Sequence, residues 1–152
     1  MRVILLLILV LLPSLVQAEL RVQVQKVITG PVVDGDNSDQ VWQQAKPILI
    51  DDQVANETIF LSSVYTDERI YFLVQYPDKA ENPLHKPWMW NEEKGSYLEG
   101  PHREDTFVFK WNMMTQDVNL SAFSDDDYRA DVWYWKANRS NGAGYADDKM
   151  QI

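Results

Sequence analysis

The residues of this sequence best placed to do chemistry lie in one run, Asp131 to Asp148, which reads Asp-Val-Trp-Tyr-Trp-Lys-Ala-Asn-Arg-Ser-Asn-Gly-Ala-Gly-Tyr-Ala-Asp-Asp. Side chains alternate along an extended strand, so Val132, Tyr134 and Lys136 take one face and Trp133, Trp135 and Ala137 the other. Two tryptophans on one face make a large, flat apolar wall. After Ala137 the composition turns to Asn138, Arg139, Ser140, Asn141, Gly142 and Gly144, which is turn chemistry, and Asp147 and Asp148 close the loop with paired carboxylates. The plainer alternative is a buried strand followed by a surface loop, with Trp filling a core. Catalysis is the least supported class. Glu92-Glu93 and Glu104-Asp105 are sequence neighbours that point apart on an extended chain, which is poor geometry for an acid and base pair. There is no Gly-x-Ser-x-Gly elbow, no His-Glu-x-x-His and no phosphate-binding glycine loop.

An order of further residues extends the pattern. Val33-Asp34-Gly35 is followed by Asp39, Trp42 and Ala45, then by Val64-Tyr65-Thr66-Asp67-Glu68-Arg69-Ile70-Tyr71-Phe72-Leu73, and Glu104-Asp105 precedes an apolar strand. Together with Trp133-Tyr134-Trp135-Lys136-Ala137, Arg139, Gly144 and Ala146-Asp147-Asp148, these resemble the haem-binding domain of the ethylbenzene dehydrogenase gamma subunit and related periplasmic cytochromes. The resemblance spans most of the chain from Ile28 to Asp148. It implies a sandwich similar to DOMON and carbohydrate-binding-module domains, a non-covalent haem b, and a role as electron carrier or redox-complex subunit rather than enzyme.

The resemblance also implies a Met and a Lys as axial ligands in an apolar slot. Met113 and Met114, just after the aromatic strand Phe107, Phe109 and Trp111, are the thioether candidates, the alternative being gap-filling core methionines. Lys136 is the candidate amine, although a salt-bridged or snorkelling lysine is the commoner outcome. His102 and His85, both between Pro77 and Arg103, are further candidate donors, with solvated surface histidines as the alternative. Phe109, Trp111, Trp133 and Trp135 would wall the cofactor. Family members continue for several strands past the Asp-Asp pair, so the domain is expected to be incomplete at its C-terminus.

These residues have to be positioned by an exported chain. Arg2 precedes an apolar run from Val3 to Leu12, and Pro13-Ser14-Leu15-Val16-Gln17-Ala18 follows, which reads as a signal peptide over residues 1–18 cleaved near Ala18. An uncleaved membrane anchor is the alternative, and the only route to a membrane contact. Residues 19–152 then form one domain, periplasmic or secreted. Cysteine is absent from the 152 residues, so neither disulfides nor a covalent c-type haem can hold this chain. With 14 Lys and Arg against 23 Asp and Glu the formal charge is −9, which argues against nucleic acid and suits docking to a basic protein.

Period-two patterns dominate the elements. Leu20, Val22 and Val24 alternate with polar residues, as do Phe107, Phe109 and Trp111, and Val118, Leu120 and Ala122. Thr58 to Tyr65 and Ile70 to Tyr76 flank Thr66-Asp67-Glu68-Arg69 as a hairpin, with Asp51-Asp52 and Asn56-Glu57 marking the loop before it. Asn37 or Ser38 caps one short helix carrying Val41, Trp42 and Ala45. Asp34, Asp36 and Ser38 have alternating calcium-ligand spacing, although Asp39 and Ala45 stand where an EF-hand needs Gly and Glu. Pro77 to Arg103, broken by Pro83, Pro87, Gly95, Gly100 and Pro101, reads as a long irregular loop whose Trp88, Met89 and Trp90 keep it ordered.

The expected fold is all-β, an antiparallel sandwich of immunoglobulin-like or jelly-roll type with one short helix and a long loop. The expected function is an exported haem b electron-transfer domain serving a periplasmic oxidoreductase or multihaem cytochrome. The alternative is a carbohydrate-binding sandwich without haem, using Trp88, Trp90, Trp133 and Trp135 as sugar platforms. Exposure separates the two: platforms face water and haem walls face inward.

Overall fold

The structure, a computed structural model, describes residues 21–52 and 55–152. The expected signal peptide and the first residue of the expected first strand lie outside them. The chain forms two compact units, one ending at Pro77 and one running from Asp78 to Ile152. The class is all-β, as the alternating patterns require. Among the described residues there are three sheets, of four, two and three strands, none closed into a barrel, in keeping with a sandwich-like fold. The longest helix among the described residues is a five-residue 3-10 turn, Gln40–Gln44.

The first unit is built on β3 (Glu57–Tyr65), which pairs antiparallel with β2 (Ile48–Asp52) and with β4 (Ile70–Gln75) and parallel with β1 (Gln25–Lys26). Leu61 to Val64 are buried in succession, so β3 is covered on both faces there, since successive side chains point to opposite sides. The β3–β4 hairpin closes where expected. Tyr65 pairs with Ile70, the Thr66 N–H donates to the Arg69 carbonyl at 2.8 Å, and the Thr66 hydroxyl accepts from Glu68 and Arg69. Val27, Ala45 and Val64 form a small core, with Val41, Trp42 and Tyr71 packed against it.

Three details depart from expectation. The first strand reaches β3 only at Gln25 and Lys26, since β2 already occupies 57–61 on that flank. Asp51 and Asp52, expected to mark a loop, end the strand Ile48–Asp52; they are tolerated because Asp51 is exposed and takes a bond from the Thr58 hydroxyl at 3.1 Å. The helical turn is capped by Asp39, not Asn37 or Ser38, and without a side-chain bond, because the Asp39 carboxylate accepts from the Val32 N–H at 2.8 Å instead.

In the second unit, β7 (Thr106–Asn112), β8 (Ala130–Lys136) and β9 (Asp147–Gln151) form an antiparallel sheet with β8 central. Asp147 and Asp148 therefore open a strand rather than close a loop. The segment expected to be irregular contains a second hairpin, β5 (Trp88–Asn91) with β6 (Ser96–Glu99). Pro83, Pro87 and Pro101 lie outside its ladder, and Gly95, at φ 55°, makes the turn. Val118 to Ala122, expected as a strand, joins no sheet. Its polar positions serve the local backbone instead: Asn119 Oδ1 accepts from Ser121, the Ser121 hydroxyl from Phe123, and Asp126 from Asn119.

Candidate functional site

The register of the β7–β8–β9 sheet decides which side chains meet. Phe107 lies opposite Trp135, Phe109 opposite Trp133, and Trp111 opposite Asp131. Directly paired residues share a face, so Phe107, Phe109, Trp111, Trp133 and Trp135 line one side. Four of their rings touch in sequence. Phe107 meets Phe109 edge to face at 5.1 Å, Phe109 stacks on Trp111 at 5.6 Å, and Trp133 meets Phe109 at 6.4 Å and Trp111 at 5.4 Å, again edge to face. Trp135 is fixed by its indole N–H, which donates to Asn141 Oδ1 at 3.1 Å. All except Trp111 are half-buried.

The wall runs out at Trp111 into the two methionines. Met113 is 48% exposed and Met114 half-buried. Both are anchored by backbone: Met113 N–H donates to the Arg129 carbonyl at 3.0 Å and Met114 N–H to Asn112 Oδ1 at 2.8 Å. Two thioethers thus stand on a held turn at one end of an aromatic face.

Lys136 stands on the opposite face, with Tyr134 and Asp147. It is only 4% exposed, its Nζ is bound by the Asp147 carboxylate, and it lies 4.4 Å from the Tyr134 ring centroid. Lys149 Nζ is 3.3 Å from the same carboxylate. The bond from Asp147 raises the Lys136 pKa above 10.5 despite burial, and the bond from Lys136 lowers that of Asp147 below 3.8. The pair is therefore ionised across the neutral range.

A second cluster, which sequence reasoning left unassembled, sits at the start of β7. Glu104 is buried and accepts the backbone N–H groups of Asn138 at 2.7 Å and Arg139 at 3.0 Å and the Arg139 guanidinium, and its Oε1 lies 3.2 Å from His85 Nδ1. Burial alone would push its carboxyl up, but the bonds from Asn138 and Arg139 outweigh it and hold the pKa below the usual carboxylate value. Its neighbour Asp105 takes the Asn82 N–H on its carboxylate at 2.9 Å, while its carbonyl accepts from Ala137. The two acids clasp residues 82–85 and 137–139 to the ends of β7 and β8. The Glu104-Asp105 dipeptide was the visible signal; its partners lie in two distant segments, with Asn138 and Arg139 more than thirty residues away.

The remaining candidates fall elsewhere. His102 is exposed, and its carbonyl accepts from the Lys86 N–H at 2.9 Å. Asp34 and Asp36 spend carboxylate oxygens on the N–H groups of Asp36 and Ser38, and no group of three or more His, Cys, Asp or Glu able to hold a metal ion occurs among the described residues. Trp88 and Trp90, at 71% and 56% exposed, face water, unlike the half-buried Trp133 and Trp135.

A family model described as ethylbenzene dehydrogenase matches residues 36–151. The chain belongs to that family. No curated protein and no solved structure matches it. The family match covers the aromatic wall, the methionine turn, Lys136 and the Glu104 clasp together, and it marks the chain as a non-catalytic, subunit-type domain associated with a redox enzyme complex. As a haem site of such a domain, the aromatic face and the Met113-Met114 turn fit: the rings offer a contiguous apolar surface and the thioethers a soft donor near its end. Lys136 does not belong to that face, and its amine is committed to Asp147.

Proposed function

We propose that this chain is an exported domain that binds haem b without covalent attachment and passes electrons within a periplasmic redox complex. The observation that carries the reading is the contiguous ring wall of Phe107, Phe109, Trp111 and Trp133 leading to Met113 and Met114. A haem held there would supply one-electron transfer at the iron. The rings exclude water from one side of such a cofactor and lower the local dielectric, which the Lys136–Asp147 pair, on the other face, does not disturb. One of the two methionines would donate a thioether to the iron, which would favour the ferrous state. Export rests on the signal-like residues 1–18, and the electron partner is a periplasmic oxidoreductase subunit or multihaem cytochrome.

The test is an absorption spectrum of the mature protein, air-oxidised and then dithionite-reduced, after expression with haem available. Sharp reduced α and β bands are expected. They should be lost when Met113→Ala and Met114→Ala are combined, and kept in Met89→Ala, whose side chain packs near Gly100 on another sheet. A folded protein with no Soret band even in excess haem overturns the reading. N-terminal sequencing of the exported protein, expected to begin at Glu19, checks the export step.

A further inference from the structure

The β5–β6 hairpin is a sheet of its own, with two sides of different character. Trp88 and Trp90 lie on one side with Tyr97, which is directly opposite Trp90, and Glu99, opposite Trp88; Met89 and Leu98 lie on the other. Trp88, Trp90 and Tyr97 are 71%, 56% and 62% exposed. Two-stranded hairpins are marginal in water unless something fixes them. Here the turn is held by Lys94 N–H donating to Asn91 Oδ1 at 2.8 Å, and the base by Gly100 N–H donating to the Pro87 carbonyl at 2.7 Å and by Lys86 Nζ 2.7 Å from Glu99 Oε1. A Cβ on Gly100 would come within 2.8 Å of Met89 Sδ, so Met89, itself 48% exposed, seats against the base of the hairpin while the aromatic side is open. Rigid aromatic side chains displayed on a pre-organised element lose little freedom when they are covered.

We propose that the aromatic face of this hairpin is a docking surface for a protein partner presenting an apolar socket rimmed by basic side chains. Ring geometry selects protein over polysaccharide. Trp90 and Tyr97 meet edge to face, 69° apart, so the pair is a ridge, whereas a sugar chain stacks on ring faces that lie in a common plane. Trp and Tyr are the residues that dominate protein hot spots. Charge selects the kind of protein. Glu92 and Glu93 outnumber Lys94 among the exposed residues of the hairpin tip, and the formal charge of −9 repels a second copy of this chain while it steers a basic surface. The proposal goes beyond haem binding and does not need it: a chain that takes up no haem still presents the hairpin.

The test replaces Trp90 by the photo-crosslinker p-benzoylphenylalanine in the full chain, expressed in its source cells, with the same residue at exposed Phe123 as control. The captured protein is identified, its crosslinked peptide mapped, and its affinity for the unmodified chain measured in purified form. The expected result is one protein captured at 90 and not at 123, with Lys or Arg around the crosslinked site. Trp90→Ala should then weaken its binding by roughly tenfold or more. Glu92→Lys with Glu93→Lys should weaken it more at low than at high ionic strength. Thermal melts equal to the parent's show that these variants fold. Crosslinks only to a second copy or to polysaccharide, no crosslink above the control, or binding unaffected by Trp90→Ala each overturn the proposal.

Discussion

The Lys136 ammonium is bound to the Asp147 carboxylate across the β8–β9 ladder, on the face of the sheet turned away from Trp133 and Trp135. One strand thus separates two environments: alternate residues of Trp133 to Lys136 serve an aromatic wall and a buried ion pair.

This pair gives a defined pH dependence. Asp147 is held below its ordinary 3.8, so its stabilisation is present above that value and is lost as pH falls through the lowered pKa. Lys136 is raised above its ordinary 10.5, so its share is present below that value and is lost as pH rises through the raised pKa. Thermal midpoints of the parent minus those of Lys136→Met with Asp147→Leu should form a plateau across the neutral range and decline at both extremes. A difference independent of pH would contradict the pairing. In the same variant a haem spectrum should survive, since neither residue is on the aromatic face.

Glu104 is expected to be the costliest single carboxylate to lose. Glu104→Leu removes the buried acceptor of the Asn138 and Arg139 N–H groups, and hydrogen bonds to a charged group are worth about 1.5–3 kcal/mol each. Denaturant unfolding should show that loss, and hydrogen exchange should show faster exchange at Asn138 and Arg139 ahead of the rest of the sheet. Because the Glu104 pKa is lowered, its contribution is present above the ordinary 4.5 and fades as pH falls through the lowered value. Glu104→Gln keeps an acceptor and should fall between the parent and Glu104→Leu.

Much of this was legible where the pattern is local. The β3–β4 hairpin follows from two β-rich runs around Thr66-Asp67-Glu68-Arg69, and the separation of Lys136 from the tryptophans follows from period-two alternation alone. Val118 to Ala122 has the same alternation yet forms no ladder, because Asn119 and Ser121 bind their own backbone. Alternation shows which residues could share a face, not whether a partner strand is there to receive them. The β5–β6 hairpin was hidden by prolines that flank rather than interrupt it. The Glu104 clasp was hidden for a different reason: its bonds join residues whose proximity depends on the β7–β8 pairing, and no local period encodes that.

The wall itself predicts how stability and cofactor binding should separate. Trp133 touches both Phe109 and Trp111, so Trp133→Leu removes two edge-to-face contacts while keeping an apolar side chain. Such aromatic pairs are worth about 0.5–1.5 kcal/mol each beyond area burial, so a modest loss of folding stability is expected. Haem affinity, measured by titration at a temperature where the variant is fully folded, should fall by a larger factor than the matched substitution Trp88→Leu, which lies on a different sheet.

Gly30 and Tyr71 offer the sharpest packing test in the first unit. A Cβ on Gly30 would sit 2.4 Å from the Tyr71 ring carbon Cζ and hydroxyl, and Tyr71 packs against the Val27, Ala45 and Val64 core. Gly30 is not at positive φ, so the obstacle to alanine there is steric rather than conformational. Gly30→Ala should cost about 1–3 kcal/mol, the range for overpacking a closed site. Tyr71→Leu alone should also destabilise, by opening space beside the core. Combined with Tyr71→Leu, however, Gly30→Ala should cost less than it does alone, because the ring it collides with is gone. A double-mutant cycle by urea unfolding reads this directly, and additive costs would show that Gly30 is required for a reason other than room for the tyrosine.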